Sequence, residues 1–218
     1  NSVSIGAFAG QTAQGAGNVA VGWNAGTLFQ EDRAVAVGGA AGQNTQAFQS
    51  VAIGQSAGAN NQGNRAVAVG TQAGQTYAKE QTIAIGYLTQ RQAAGNSAVG
   101  IGSSAGEFGQ APNSIAIGYQ AFRNNAVGSN ISNLANVTYS NGYYSIAIGS
   151  DAGSNNIANG AIVIGGSNVA GGHGNNAGLN SIAIGYRGVA NAMANNSIVL
   201  NATGTQITAS TANALYID

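Results

Sequence analysis

The chain has 218 residues with 35 glycines, one proline and no cysteine; charged residues make up 6% of it and the formal net charge is zero. Without cysteine there is no disulfide scaffold, thiolate metal site or cysteine nucleophile, and the neutral balance leaves no electrostatic footprint for nucleic acid or anionic lipid. The apolar runs are only a few residues long, far short of a membrane span, and no charged region followed by an apolar one opens the chain, so neither membrane insertion nor a signal peptide is expected within it.

Taken in chain order, one short theme recurs. Val3-Ser4-Ile5-Gly6 returns as Val19-Ala20-Val21-Gly22, Val35-Ala36-Val37-Gly38, Val51-Ala52-Ile53-Gly54, Val67-Ala68-Val69-Gly70 and Ile83-Ala84-Ile85-Gly86. It continues as Val99-Gly100-Ile101-Gly102 and Ile115-Ala116-Ile117-Gly118, with the closing glycine advancing 16 residues at each step. A fixed period of this size carried by β-branched residues indicates stacked coils rather than a globular enzyme.

Number each copy from its closing glycine as position 0. Position −3 is Val or Ile in twelve copies, position −1 is Val, Ile or (once) Leu, and position −2 is small in all but Val163 and Val199. This alternation predicts a short strand with a large-residue face and a small-residue face. The glycine suits a sharp bend with positive φ. Ala at +3 (Ala9, Ala25, Ala41) and Gly at +4 (Gly10, Gly26, Gly42) suggest a second short strand and a second tight bend. The remainder of each unit, rich in Gln, Asn and Thr, reads as an exposed loop. Equivalent strands should pair in parallel at about 4.8 Å, giving a rod on the order of 60 Å long. Val and Ile at −3 and −1 are expected to meet the +3 Ala inside each coil, leaving the small −2 face outward for close packing of identical chains about a threefold axis. The alternative puts Val and Ile at the contact between chains.

The beat breaks twice. Gly149 stands 31 residues after Gly118, an interval that fits two coils less one residue, with Ile131-Ser132-Asn133-Leu134 as a degraded copy between them. Between Gly165 and Gly185 the interval is 20, an insertion of four residues. The domain reading is therefore a repeat domain over 1–201, irregular near 119–145 and 166–181, followed by a cap or the start of a further module over 202–218. The segment ending at Tyr144, with Tyr139 and Tyr143, reads as an outward loop.

Candidate chemistry is sparse. His173 is the one histidine and has no second His or Cys to share a metal. Gly100-Ile101-Gly102 imitates part of a dinucleotide fingerprint, but the repeat period explains it and no helix follows. Asp and Glu form no repeated column, so calcium is not expected, and neither a metal nor another cofactor is assigned. Aromatic residues follow the closing glycine in four copies, at Trp23, Tyr87, Tyr119 and Tyr186. With Tyr139 and Tyr143, they are the candidates for flat contact with a glycan or partner surface; the structural alternative is that they wedge between neighbouring chains. Arg33 and Arg65 share a phase, with Lys79, Glu80 and Arg91 nearby, and suggest solvated or inter-chain ion pairs. Sequons stand at Asn130, Asn136, Asn195 and Asn201.

The Asn-Ser-Ile-Ala-Ile-Gly signature at 113–118 and 180–185 resembles the head repeats of trimeric autotransporter adhesins. The resemblance covers nearly the whole chain and implies a left-handed parallel β-roll in which three chains associate. The chain departs from it in its slightly long period and in the added Ala-Gly at +3 and +4. The stretch 196–204 looks like segments in fibre proteins of large DNA viruses and of phage tails. Together these resemblances imply an all-β, parallel β-solenoid homotrimer forming an extracellular surface fibre, a viral fibre being preferred over a bacterial adhesin. The partners implied are sister chains and a host glycan or protein receptor. The rival readings are a glycan-cleaving fibre domain and a shaft without receptor binding.

Overall fold

The computed structural model describes residues 1–123, 142–154, 157–166, 177–186, 193–203 and 207–218. Every named element in it is a β-strand of three or four residues, and among the described residues there is no helix. Thirteen of these strands form one parallel sheet. Each is the −3 to −1 segment of one unit, in order Val3–Ile5, Val19–Val21, Val35–Val37, Val51–Ile53, Val67–Val69, Ile83–Ile85 and Val99–Ile101. The order continues through Ile115–Ile117, Ile146–Ile148, Ile162–Ile164, Ile182–Gly185, Ile198–Asn201 and Leu215–Ile217. The register is strict: Val19 pairs with Val35, Ala20 with Ala36 and Val21 with Val37, and the same 16-residue offset recurs at every step from Val3 to Ile117. The chain is therefore a parallel β-solenoid with 16-residue coils.

The corners explain the period. The closing glycines have φ between 122° and 132° at Gly6, Gly22, Gly38, Gly54, Gly70 and Gly86. A Cβ on Gly38 would lie 2.7 Å from the carbonyl oxygen of Gly54 in the next coil. Glycine is required there twice over, by φ and by the approach of the next backbone. The coil then turns through +1 to +4. Position +2 is left-handed without being glycine, as at Asn24, Ser56 and Gln120, with φ of 56°, 55° and 53°. Position −5 is left-handed as well, at Asn113, Asn180 and Asn196, with φ of 55°, 51° and 55°. Asn tolerates that region better than most residues, which accounts for the Asn of the Asn-Ser signature. Its Ser is fully buried and closes the corner, donating three residues back: Ser114 Oγ to the Ala111 carbonyl at 2.6 Å, Ser181 Oγ to Gly178 at 2.6 Å and Ser197 Oγ to Ala194 at 2.8 Å.

The two faces of the strand are reversed from the first expectation. The small −2 column (Ala20, Ala36, Ala52, Ala68, Ala84) is completely buried and packs against the +3 column (Ala25, Ala41, Ala57, Ala73) inside the coil. Val and Ile at −3 and −1 stand on the outer face, partly buried at residues such as Val19, Val21, Val35 and Val37 and up to 60% exposed at Ile5 in the first rung. The cross-section is too thin for them. A Cβ added to Gly26, on the opposite wall, would already be 3.4 Å from the Ala20 Cβ.

The second strand is also displaced from its expected place. Ala and Gly at +3 and +4 belong to the turn, while the second ladder lies at +6 to +8. It appears as bridges Gln14–Gln30, Gln30–Gln46 and Gln46–Gln62 and as the paired strands Thr76–Ala78 and Gln92–Ala94. The Gln residues at +8, expected in an exposed loop, are buried at Gln30, Gln46, Gln62 and Gln110. Their Nε2 groups brace the coil from within: Gln62 donates to the carbonyls of Val51 and Ala66 at 2.8 and 3.1 Å, and Gln110 to those of Val99 and Ser114 at 2.9 and 3.0 Å. Glycine at +4 makes the room, since a Cβ on Gly26 would sit 2.6 Å from Gln30 Oε1.

The interior changes along the stack. In the coil after Gly86 the amide moves from +8 to +4: Gln90 is buried there, Ala94 takes its place at +8, and the next strand has Gly100 instead of Ala. A Cβ on Gly100 would lie 2.9 Å from both Gln90 Cγ and Thr89 Cγ2. After Gly118 the filling becomes apolar, with Phe122, Ile157 and Val163 buried among alanines.

Ile115 pairs directly with Ile146 and Ile117 with Ile148, so these two strands are neighbours in the sheet; the degraded copy expected at 131–134 lies outside the described residues. The extra residues of that interval fall on 124–141, outside the described residues. The four-residue insertion does leave the register intact, because Ile162 pairs with Ile182. Beyond 201, Leu215–Ile217 adds one more parallel rung against Ile198–Leu200.

Candidate functional site

Three surfaces emerge from this geometry. The first is the outer face of the large sheet, where two parallel columns of Val, Ile and Leu run the length of the stack with half-exposed side chains. At about 4.8 Å per rung, thirteen rungs give an apolar strip about 58 Å long. Scattered exposed aliphatic residues are ordinary, whereas a contiguous strip of this extent is a candidate interaction surface.

The second is the corner immediately after that sheet. Trp23, Tyr87, Tyr119 and Tyr186 project at +1, between 46% and 59% exposed. Trp23 and Tyr87 are four rungs apart in the sheet order, Tyr87 and Tyr119 two, Tyr119 and Tyr186 three. Non-aromatic residues separate them: Gly39, Gln55, Thr71, Ser103, Ser150 and Gly166. Gly39 follows Trp23 in the next coil, and a Cβ there would meet nothing within 4 Å. Tyr186 lies over Gly166, whose Cβ position is 3.6 Å from the ring. Of the other aromatic candidates, Tyr143 is half-buried and packs against the interior cluster of Phe122, Ile157 and Val163, while its neighbour Tyr144 is exposed. Tyr139 and His173 lie outside the described residues.

The third is a shallow groove of about 560 Å³ at the opposite corner, lined by Phe29, Phe48, Glu31 and Asp32. Its two carboxylates diverge along the rod. Asp32 Oδ1 accepts from the Ala16 backbone N–H at 2.7 Å in the preceding coil, and Glu31 Oε2 from that of Phe48 at 3.0 Å in the following one. Each is engaged in capping the backbone of a different coil. Arg33 lies 5.8 Å from the Phe48 ring centroid. Among the described residues no three His, Cys, Asp or Glu side chains gather as metal ligands.

The charged residues form a network the sequence did not suggest. Arg91, Glu107 and Arg123 share position +5 in successive rungs. Glu107 is almost wholly buried between the two guanidinium groups, at 3.4 Å from Arg91 Nη2 and 3.0 Å from Arg123 Nε. Both arginines also pack on the Phe108 ring, 5.1 and 5.7 Å from its centroid. Their common phase was the available signal. Compared with known proteins, the chain matches no family model, no curated protein and no solved structure.

Proposed function

We propose that the chain is a segment of a trimeric surface fibre that extends from a virion or cell and attaches to a host surface. The observation that carries this is the uninterrupted outer strip of Val and Ile. Burying one such side chain contributes roughly 1.5–3 kcal/mol, so association of sister copies along the strip removes a large apolar area from water. The resemblance to left-handed adhesin-head rolls supplies the threefold arrangement. Function in this reading is non-enzymatic: the stacked coils give a stiff rod, and the +1 aromatics with the Asn- and Gln-rich corners meet a glycan or protein receptor outside the cell. Light scattering coupled to size exclusion tests it. A mass three times that of the chain is expected, and a stable monomer at micromolar concentration overturns the trimer.

A further inference from the structure

We infer that the corner around Tyr119 is a preorganised subsite for a neutral hexopyranose ring, an inference that rests on the attachment reading and gives it a ligand class. Tyr119 presents a half-exposed ring on the rod surface. Its neighbours in the adjoining coils at the same position are both small. Ser103 precedes it, its carbonyl accepting from the Gln120 N–H at 2.9 Å, and Ser150 follows it, beside Asp151, whose N–H donates to the Tyr119 carbonyl at 2.7 Å. The ring therefore has no bulky neighbour above or below it at +1.

Unlike a loose surface tyrosine, Tyr119 is tied into a polar network. The Gln120 carboxamide, oriented so that both of its ends find partners, accepts from the Tyr119 hydroxyl at 2.9 Å and from Arg123 Nη1 at 3.2 Å. It donates to Asp151 Oδ1 at 3.0 Å. Asp151 Oδ2 accepts from Ser150 Oγ at 2.9 Å. Arg123 is itself anchored to the buried Glu107. An aromatic platform flanked by a carboxylate, an amide, a hydroxyl and a guanidinium matches a sugar ring. The apolar C–H face stacks on the ring, and neighbouring hydroxyls donate to Asp151 or to the Ser150 oxygen and accept from Arg123. Fixing these groups before binding lowers the ordering cost of association. The formal charges of the network sum to zero: Glu107 pairs with both Arg91 and Arg123, and Asp151 is linked to Arg123 through the Gln120 carboxamide; a neutral sugar is therefore favoured and an acidic one meets the Asp151 carboxylate.

Saturation-transfer NMR on the intact chain tests this with methyl β-galactopyranoside, methyl β-glucopyranoside, methyl α-mannopyranoside and sialyllactose as probes. Transfer to the C–H protons of at least one neutral hexoside is expected. Tyr119→Ala should weaken that binding about tenfold, Asp151→Asn should weaken it as well, and Phe8→Ala, an exposed aromatic elsewhere, should leave it unchanged. Thermal melts of the variants should superimpose on the parent, since Tyr119 lies outside the coil interior. No transfer from any neutral hexoside, transfer from sialyllactose alone, or equal transfer with Tyr119→Ala each overturns the subsite. Binding of the parent chain to host-cell surfaces judges the attachment reading separately: adhesion that persists in Tyr119→Ala with no hexoside signal sinks the subsite and leaves attachment standing.

Discussion

Gln30 and Gln46 stand one coil apart inside the solenoid, and Nε2 of the first donates to Oε1 of the second at 3.0 Å. The same Gln30 Nε2 lies 3.1 Å from the carbonyls of Val19 and Ala34, so one amide joins the outer strand, the following corner and the next coil. A core built of alanine methyls has little apolar area per coil, and these buried amides add directional bonds that fix the spacing of its walls. A buried donor or acceptor left without its partner costs about 1–3 kcal/mol.

Gln46→Ala removes the Gln30 acceptor and the Gln46 brace to Val35 at 2.7 Å, and leaves a cavity. The expected loss is about 2–4 kcal/mol. Urea unfolding followed by circular dichroism measures it; a loss under about 0.5 kcal/mol, the range of ordinary surface changes, would show that the amide ladder contributes little.

Adjacent glycines should respond differently. Gly38→Ala places a methyl 2.7 Å from the Gly54 carbonyl oxygen at a φ of 126°, and should cost at least about 2 kcal/mol. Gly39→Ala enters open space and should change stability by no more than about 0.5 kcal/mol. Equal melting temperatures for the two variants would contradict the corner geometry.

Ala68 and Val69 separate folding from assembly. Ala68 is fully buried, so Ala68→Glu puts a carboxylate inside the coil and should abolish folding, seen as loss of the β-sheet circular dichroism signal. Val69 is on the outer strip, and the pair Val69→Glu with Ile85→Glu should keep that signal while shifting the light-scattering mass to a single chain. A double variant that remains trimeric would remove the strip from the interface.

The exchange of filling around Gly100 predicts a compensation. Gly100→Ala alone crowds Gln90 and Thr89, each with a carbon 2.9 Å from the new methyl, and should destabilise by about 1–3 kcal/mol. Adding Gln90→Gly clears the Gln90 contact and should recover part of that loss, giving a coupling of about 0.5–3 kcal/mol in a double-mutant cycle. Strict additivity of the two changes would show that they do not share one space.

Much of the rod was legible in one dimension. Closing glycines 16 residues apart and β-branched residues two apart admit few folds other than stacked parallel rungs, because each copy makes the same bend and offers the same unpaired backbone to the next. The Arg91, Glu107 and Arg123 phase and the Gln column at +8 were present in the same spacing, yet polar residues in a Gly-rich stretch read as loop unless a partner in the neighbouring coil is known.

Alternation by itself determined that the strand has two unlike faces. Which face is inside was decided by tertiary structure, through the distance between the sheet and the turn opposite it. That gap admits the Ala20 methyl and the Gln30 amide and excludes the Val19 and Val21 side chains, which accordingly stand on the outside of the rod. Direct pairing of Ile115 with Ile146 was likewise beyond the sequence, since an interval of nearly two periods fits a hidden rung as well as an excursion, and only the hydrogen-bond ladder distinguishes them.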